Sequence, residues 1–193
     1  MTEIKIKSYC KINLFLRVVK RLKSGYHVIS SIITFCNLYD VISIKKINSK
    51  KDQIHFSGVF SKNINQSSNT ITKTLYHLRN KNFIKKEFFK INIRKNIPHG
   101  SGLGGGSSNA AVLLNFFSHY KKLKIDPKEI RKIAFKIGSD VPLFLNKKNK
   151  IITGKQNEIL STNKKFNLNI IIVYPNIVCS TKEIFKKNKE FSL

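Results

Sequence analysis

Residues 98 to 109 read Pro98-His99-Gly100-Ser101-Gly102-Leu103-Gly104-Gly105-Gly106-Ser107-Ser108-Asn109, which places five of the chain's nine glycines within seven positions. Glycine loses the most conformational freedom on folding, so such a cluster belongs where the backbone takes left-handed angles or closely approaches a ligand. Upstream, Phe88 to Arg94 alternates apolar and polar residues as a strand does. Downstream, Ala111, Leu114, Phe117 and Val112 lie on the apolar side of a helix reaching about Tyr120, with Ser107 or Ser108 as its cap. A strand, a glycine loop and a helix in that order offer successive backbone N–H groups and a positive dipole end to an anion, most often phosphate. Ser107 and Ser108 add hydroxyls for phosphate oxygens or Mg²⁺. A flexible linker would be polar on both sides, and this loop is not.

Three nucleotide loops compete for the segment. A Walker A loop needs a lysine before its serine, and Gly106-Ser107 has none between them. Gly100-x-Gly102-x-x-Gly105 fits the dinucleotide fingerprint, but the acid about twenty residues on is Asp126, which caps a helix, and the βαβ context is missing. The third pattern, P-x-x-x-G-L-G-[GS]-G-S-S, resembles the loop of the GHMP kinases, and Pro98 through Ser108 matches it without a gap.

Working outward from the loop, Ile4 to Ser8 and Ile12 to Val19 read as two extended segments broken at Tyr9-Cys10-Lys11. Val28 to Leu38 and Val41 to Ile47 supply two β-branched-rich strands around Tyr39-Asp40, beyond a turn at Ser24-Gly25. Asn69 to Arg79 carries apolar residues at 71, 75 and 78 behind an Asn69 cap and predicts a helix. Asp126-Pro127-Lys128-Glu129 has a capping-box arrangement, followed by Ile130, Ile133, Ala134 and Ile137 at helical spacing and a stop at Gly138. A short turn at Ser139 to Pro142, strands at Ile151-Ile152 and Leu168 to Tyr174, and a helix start at Ser180 to Phe185 complete the reading. Strands and helices mix without strict βαβ alternation, so the predicted class is α+β with a mixed, mostly antiparallel sheet.

The chain has 193 residues, is 41% hydrophobic and carries a net charge of +27, enough apolar content for a packed core and a charge that raises the question of a polyanion partner. The basic residues are dispersed among Asn and Ile rather than gathered in an arm, and pairs such as Lys85-Lys86 and Lys164-Lys165 read as solvated faces. Three widely spaced cysteines, Cys10, Cys36 and Cys179, indicate neither a disulfide framework nor a zinc site. No apolar h-region opens the chain and no apolar run approaches the roughly 18 residues of a membrane span, so a soluble, cytoplasmic protein is expected.

With the loop in place, the chain resembles the 4-diphosphocytidyl-2-C-methyl-D-erythritol kinases of the GHMP superfamily over nearly its whole length. Cys10-Lys11-Ile12-Asn13-Leu14-Phe15-Leu16 is similar to the family's A-K-[IL]-N-L-x-L, Gly25-Tyr26-His27 to its G-Y-H, Asp40-Val41-Ile42 to its D-x-[IL], Asn69-Thr70-Ile71 to its N-L-[IV], and Gly138 to Phe144 to its G-[AS]-D-V-P-[FV]-F. The resemblance implies the GHMP N-terminal lobe, like the second domain of ribosomal protein S5, over 1–158, with an incomplete second lobe over 159–193. It implies ATP and Mg²⁺ as cofactors, with ATP held by Pro98, Gly100, Ser101, Gly102, Leu103, Gly104, Gly105, Gly106, Ser107, Ser108 and Asn109, and with Asn69 and Lys95 near the adenine or ribose. A small-molecule substrate follows, touched by Asn13, Tyr26 and His27 and by Thr181 and Phe185, the last two from a segment similar to the family's T-x-x-[IV]-[FY].

Phosphoryl transfer to a hydroxyl needs a carboxylate that takes the hydroxyl proton and a cation that stabilises charge. Most acids sit beside lysines or cap helices, which leaves Asp40, Asp140 and Glu158; Asp140 reads either as a second helix cap or as the proton acceptor. By resemblance Asp140 is the acceptor and Lys11 its partner. Two departures stand out: Gly154 to Glu158 replaces the family's shorter G-x-G-E turn, and the family continues into a second lobe. Two rivals remain, a basic nucleic-acid-binding protein on an S5-like fold and an ATP-binding chain without catalysis.

Overall fold

The protein is described by a computed structural model that covers residues 2–23, 25, 27–62, 64–120, 125–153, 158–177 and 184. The elements are β1 (Ile4–Arg21), β2 (His27–Ile47), β3 (Gln53–Ser57), α1 (Thr70–Asn80), β4 (Phe88–Arg94), α2 (Gly105–His119), α3 (Pro127–Ile137), a 3-10 turn (Val141–Phe144), β5 (Asn149–Thr153) and β6 (Ile159–Thr162). The expected breaks at Tyr9-Cys10-Lys11 and Tyr39-Asp40 do not exist: β1 and β2 run straight through them. Lys11, at 7% exposure, and Asp40, at 0%, look like turn chemistry but are tolerated inside strands because each is compensated where it is buried, Lys11 by Asn13 and the Leu103 carbonyl and Asp40 by Lys95.

Contacts divide the chain into two compact units built from interleaved stretches, a grouping different from the expected 1–158 and 159–193. The first comprises Met1–Cys10, Asn37–His99 and Gly104–Leu145, the second Lys11–Cys36, Gly100–Leu103 and Asn146–Leu193.

In the first unit β2 pairs antiparallel with β4 from Val41 opposite Arg94 to Ile47 opposite Phe88, and β4 pairs parallel with β3. β3 is a short strand that the sequence reading missed. Ile42 and Ile44 of β2 and Phe89, Ile91 and Ile93 of β4 are completely buried, so each strand sends its alternate residues to one face. Helices α1, α2 and α3 contact one another in pairs, and Phe89 meets Phe117 of α2 edge to face at 4.8 Å, so the helices close over the sheet. Arg79 at the end of α1 grips Asp52 with two hydrogen bonds of 2.7 and 2.9 Å, while Asp52 also accepts the Phe89 N–H.

The helix starts are local chemistry. Asn69 caps α1 by accepting from the N–H groups of Ile71 and Thr72, while Thr72 returns a bond to Asn69, a complete capping box. Asp126 caps α3 by accepting from the Lys128 N–H, but the expected box is only half made, because Glu129 turns to pair at 2.9 Å with Lys81, the residue that follows α1. The buried residues of α3 are the expected Ile130, Ile133, Ala134 and Ile137.

In the second unit β2 pairs antiparallel with β5 from Ser30 to Ile33, and β5 with β6. Leu168 to Tyr174, expected as a strand, forms none; Ile171 and Val173 are 91% and 85% exposed. An apolar run becomes a strand only when another strand supplies its hydrogen bonds. The expected helix start at Ser180 to Phe185 and the departure at Gly154 to Asn157 lie outside the described residues, apart from residue 184.

Lys150 of β5 is 1% exposed, its ammonium donating to the Asn146 side chain at 2.5 Å and to the Lys148 carbonyl. Burial, followed by the neighbouring Lys148 charge, pushes it down to about 8. Between that value and the ordinary 10.5 the unfolded chain binds the proton that the fold has released, so this group makes stability climb as pH rises through that window. Lys150→Met should remove a climb of at most about 3 kcal/mol. The stability difference between variant and wild type, from urea melts at pH 7.5 and 9.5, should shift against the variant at the higher pH.

Candidate active site

The glycine loop takes the backbone conformation its composition requires, with φ of 67°, 76° and 72° at Gly100, Gly102 and Gly104. Helix α2 begins at Gly105, earlier than the expected serine cap, because left-handed Gly104 occupies the cap position and Ser108 N–H makes the first helical bond to its carbonyl at 2.8 Å. Among the described residues no side chain caps this end, so the first N–H groups of the helix point their partial charge outward. Gly105 is fixed by space: a Cβ there would lie 3.0 Å from Ile97 and 3.3 Å from the Lys95 ammonium.

The two serines expected to share one task are separated by their surroundings. Ser108 is 2% exposed and its hydroxyl accepts from Ser8 and donates to the Tyr9 carbonyl, both at 2.7 Å. Ser107 is half-buried and its hydroxyl makes no hydrogen bond among the described residues, which leaves it available to a ligand. Thr70, which sequence reasoning missed, donates to the Gly106 carbonyl at 2.8 Å and ties the start of α1 to the start of α2.

Asp40 gathers the loop's flanks. Its carboxylate pairs with the Lys95 ammonium and accepts from the N–H groups of Asn96 and Ile97 at 2.8 and 2.9 Å and from the Asn109 amide at 3.1 Å. Lys95 and Asn109, expected near the nucleotide, are 4% and 2% exposed and face this carboxylate. Burial pushes the Lys95 ammonium down, with the Asp40 charge opposing. A signal for Asp40 existed in sequence, since an acid inside a β-branched run must find compensation when buried. The identity of its partners, 55 and 69 residues away, was not local information.

Asp140 precedes the 3-10 turn, which packs on α2 and α3. It occupies that turn's cap position, yet its side chain makes no cap bond, and among the described residues its carboxylate has no hydrogen-bond partner. The capping alternative therefore does not account for it. In the second unit Lys11 is buried, donates its N–H to the Leu103 carbonyl at 2.9 Å and its ammonium to Asn13 at 3.4 Å; Ser31 also donates to Asn13. His27 begins β2. Pro98 is buried and Ser101 half-buried in the loop, and Asn69 spends its side chain on the α1 cap. Tyr26, Thr181 and Phe185 lie outside the described residues. Among the described residues no three His, Cys, Asp or Glu side chains group as a metal site, and no helix is long and apolar enough to cross a membrane.

Removing one member of a buried pair leaves an uncompensated charge, which costs about 3–5 kcal/mol. Asp40→Asn should lose that much in urea denaturation, and Asp40→Asn with Lys95→Met should recover at least half of it.

Residues 69–148 match the family model for the GHMP kinases N terminal domain. Over 192 residues the chain is 44% identical to the 4-diphosphocytidyl-2-C-methyl-D-erythritol kinase of Pelagibacter ubique, covering 100% of this chain and 67% of that protein. It is 36% identical to the enzyme of that name from Anaplasma phagocytophilum, covering 96% and 62%. A crystal structure of 4-(cytidine 5'-diphospho)-2C-methyl-D-erythritol kinase superposes with a TM-score of 0.66 at 25% identity, covering 82% of this chain and 55% of that one. The chain thus spans about two thirds or less of the length of these relatives.

Proposed function

Because the chain belongs to the 4-diphosphocytidyl-2-C-methyl-D-erythritol kinase family of the GHMP kinases, we propose that it transfers the γ-phosphoryl group of ATP to the 2-hydroxyl of that family's namesake substrate, in non-mevalonate isoprenoid precursor synthesis. The observation that carries this reading is the uncapped N-terminus of α2 behind its glycine loop. Its free N–H groups suit the nucleotide's phosphates.

In this reading the substrate's hydroxyl oxygen attacks the γ-phosphorus, the bond to the bridging oxygen of ADP breaks, and the hydroxyl proton passes to the Asp140 carboxylate. The unengaged carboxylate supports that role. Lys11 contributes a cation toward substrate and phosphate charge, held by its strand and by Asn13, which itself contacts substrate hydroxyls. Tyr26, His27, Thr181 and Phe185 serve the cytidine. Mg²⁺, when bound, neutralises phosphate charge; with no three-residue donor cluster among the described residues, the Ser107 hydroxyl is the protein group best suited to it. Asn69 and Lys95 act on the nucleotide through the helix cap and the Asp40 pair that occupy their side chains.

The deciding experiment measures ADP released from Mg-ATP and the substrate by the purified chain beside Asp140→Asn and Lys11→Met. Turnover in the wild type, lowered about 10²–10⁴-fold in Asp140→Asn and by a comparable order in Lys11→Met, is expected. ATP binding without turnover would reduce the chain to a nucleotide-binding module, and failure to bind ATP would overturn the reading.

A further inference from the structure

Both ends of the glycine loop converge on one carboxylate. On the strand side, the N–H groups of Asn96 and Ile97, immediately before Pro98, donate to Oδ1 of Asp40 at 2.8 and 2.9 Å. On the helix side, Nδ2 of Asn109 donates to Oδ2 at 3.1 Å, and that oxygen also holds the Lys95 ammonium. The loop between these stems, residues 98–108, is rich in glycine and therefore in conformational freedom. A phosphate cradle with that freedom would have to be ordered by each nucleotide it binds, at the cost of affinity. We propose that Asp40 is a positioning residue, a staple whose two oxygens clamp the stems of the loop so that the phosphate-binding N–H groups are set before the nucleotide arrives.

Three features favour this over a purely structural ion pair. The carboxylate spends three of its four bonds on groups flanking the loop rather than on the lysine. Asn109 is the fifth residue of the 15-residue helix whose N-terminus faces the phosphates and sits directly behind its first turn, so its bond anchors the N-terminal end of the helix rather than its far end. Its amide Oδ1 is buried without a hydrogen-bond partner among the described residues, so this side chain gives up half its bonding capacity to deliver its N–H to Asp40. Lys95 completes the device: its ammonium lies beneath Gly105, where a Cβ would sit 3.3 Å away, and it keeps the buried carboxylate compensated. The inference extends the kinase reading to a residue that touches neither substrate nor nucleotide, and the ordering of the loop can be measured without a ligand.

Asn109→Ala cuts only the helix arm and leaves the Asp40–Lys95 pair in place. Hydrogen exchange on the ligand-free chain should show the Ser108 amide exchanging about tenfold faster in the variant, with the Leu114 amide unchanged. Equilibrium titration should show the Mg-ATP dissociation constant raised about tenfold while that for adenosine, which has no phosphates, stays the same. Unchanged exchange at Ser108 overturns the staple whatever the nucleotide does. Faster exchange with unaltered Mg-ATP affinity overturns its role in binding. Equal loss for adenosine and ATP, or a general fall in protection across α2, identifies a merely structural pair and overturns the proposal as well. Faster exchange at Ser108 in a chain whose wild type ignores Mg-ATP supports the staple and removes the kinase reading alone.

Discussion

An ionised carboxylate is expensive to remove from water, and Asp40 is removed completely. The fold meets that demand with an ammonium, two backbone N–H groups and an amide, all drawn from the approaches to the glycine loop. Much else in the first unit depends on the arrangement. β4 must end where Lys95 can reach back, Ile97 must lie close enough to exclude a side chain from Gly105, and the N-terminal part of α2 must present Asn109 inward. A hydrophobic replacement could be as stable, since the desolvation of buried pairs offsets most of their attraction. What an apolar cluster could not supply is direction, because only hydrogen bonds specify the angle at which two chain segments leave a common point.

The loop itself divides its labour by burial. Ser108 and Ser107 are neighbours of identical chemistry, yet one is spent on Ser8 and Tyr9 while the other keeps its hydroxyl unengaged among the described residues. Helix periodicity accounts for the difference, since adjacent residues differ by about 100° around the axis and only one can face the sheet. Gly104 takes the place a serine or aspartate would hold at an ordinary helix start. A side-chain cap there would occupy the donors that a phosphate needs, so its absence is the feature that makes this helix end chemically useful.

Charge follows a different logic from chemistry in this chain. The excess of +27 is spread over exposed positions such as Lys85, Lys86, Lys164 and Lys165, whereas Lys11, Lys95 and Lys150 are buried, each with named oxygen partners. Counting lysines therefore says little about which of them matter. Burial separates them, because an ammonium excluded from water persists only where acceptors replace its hydration.

Local stereochemistry was readable directly. The starts of α1 and α3 are written in Asn69 and Asp126, whose side chains reach only two or three residues ahead, and the loop's left-handed turns are written in its glycines. The family likeness carried by the loop and the flanking motifs was legible for the same reason, since those groups are contiguous. Tertiary structure alone decided the rest. Tyr9-Cys10-Lys11 and Tyr39-Asp40 read as breaks but lie within strands, because distant partners satisfy their polar groups. Gln53 to Ser57 became a strand through pairing with β4, and Leu168 to Tyr174, more apolar, formed none. A cap or a turn is completed by atoms a few residues away, whereas a strand or a buried ion pair is completed by atoms whose arrival the rest of the chain determines.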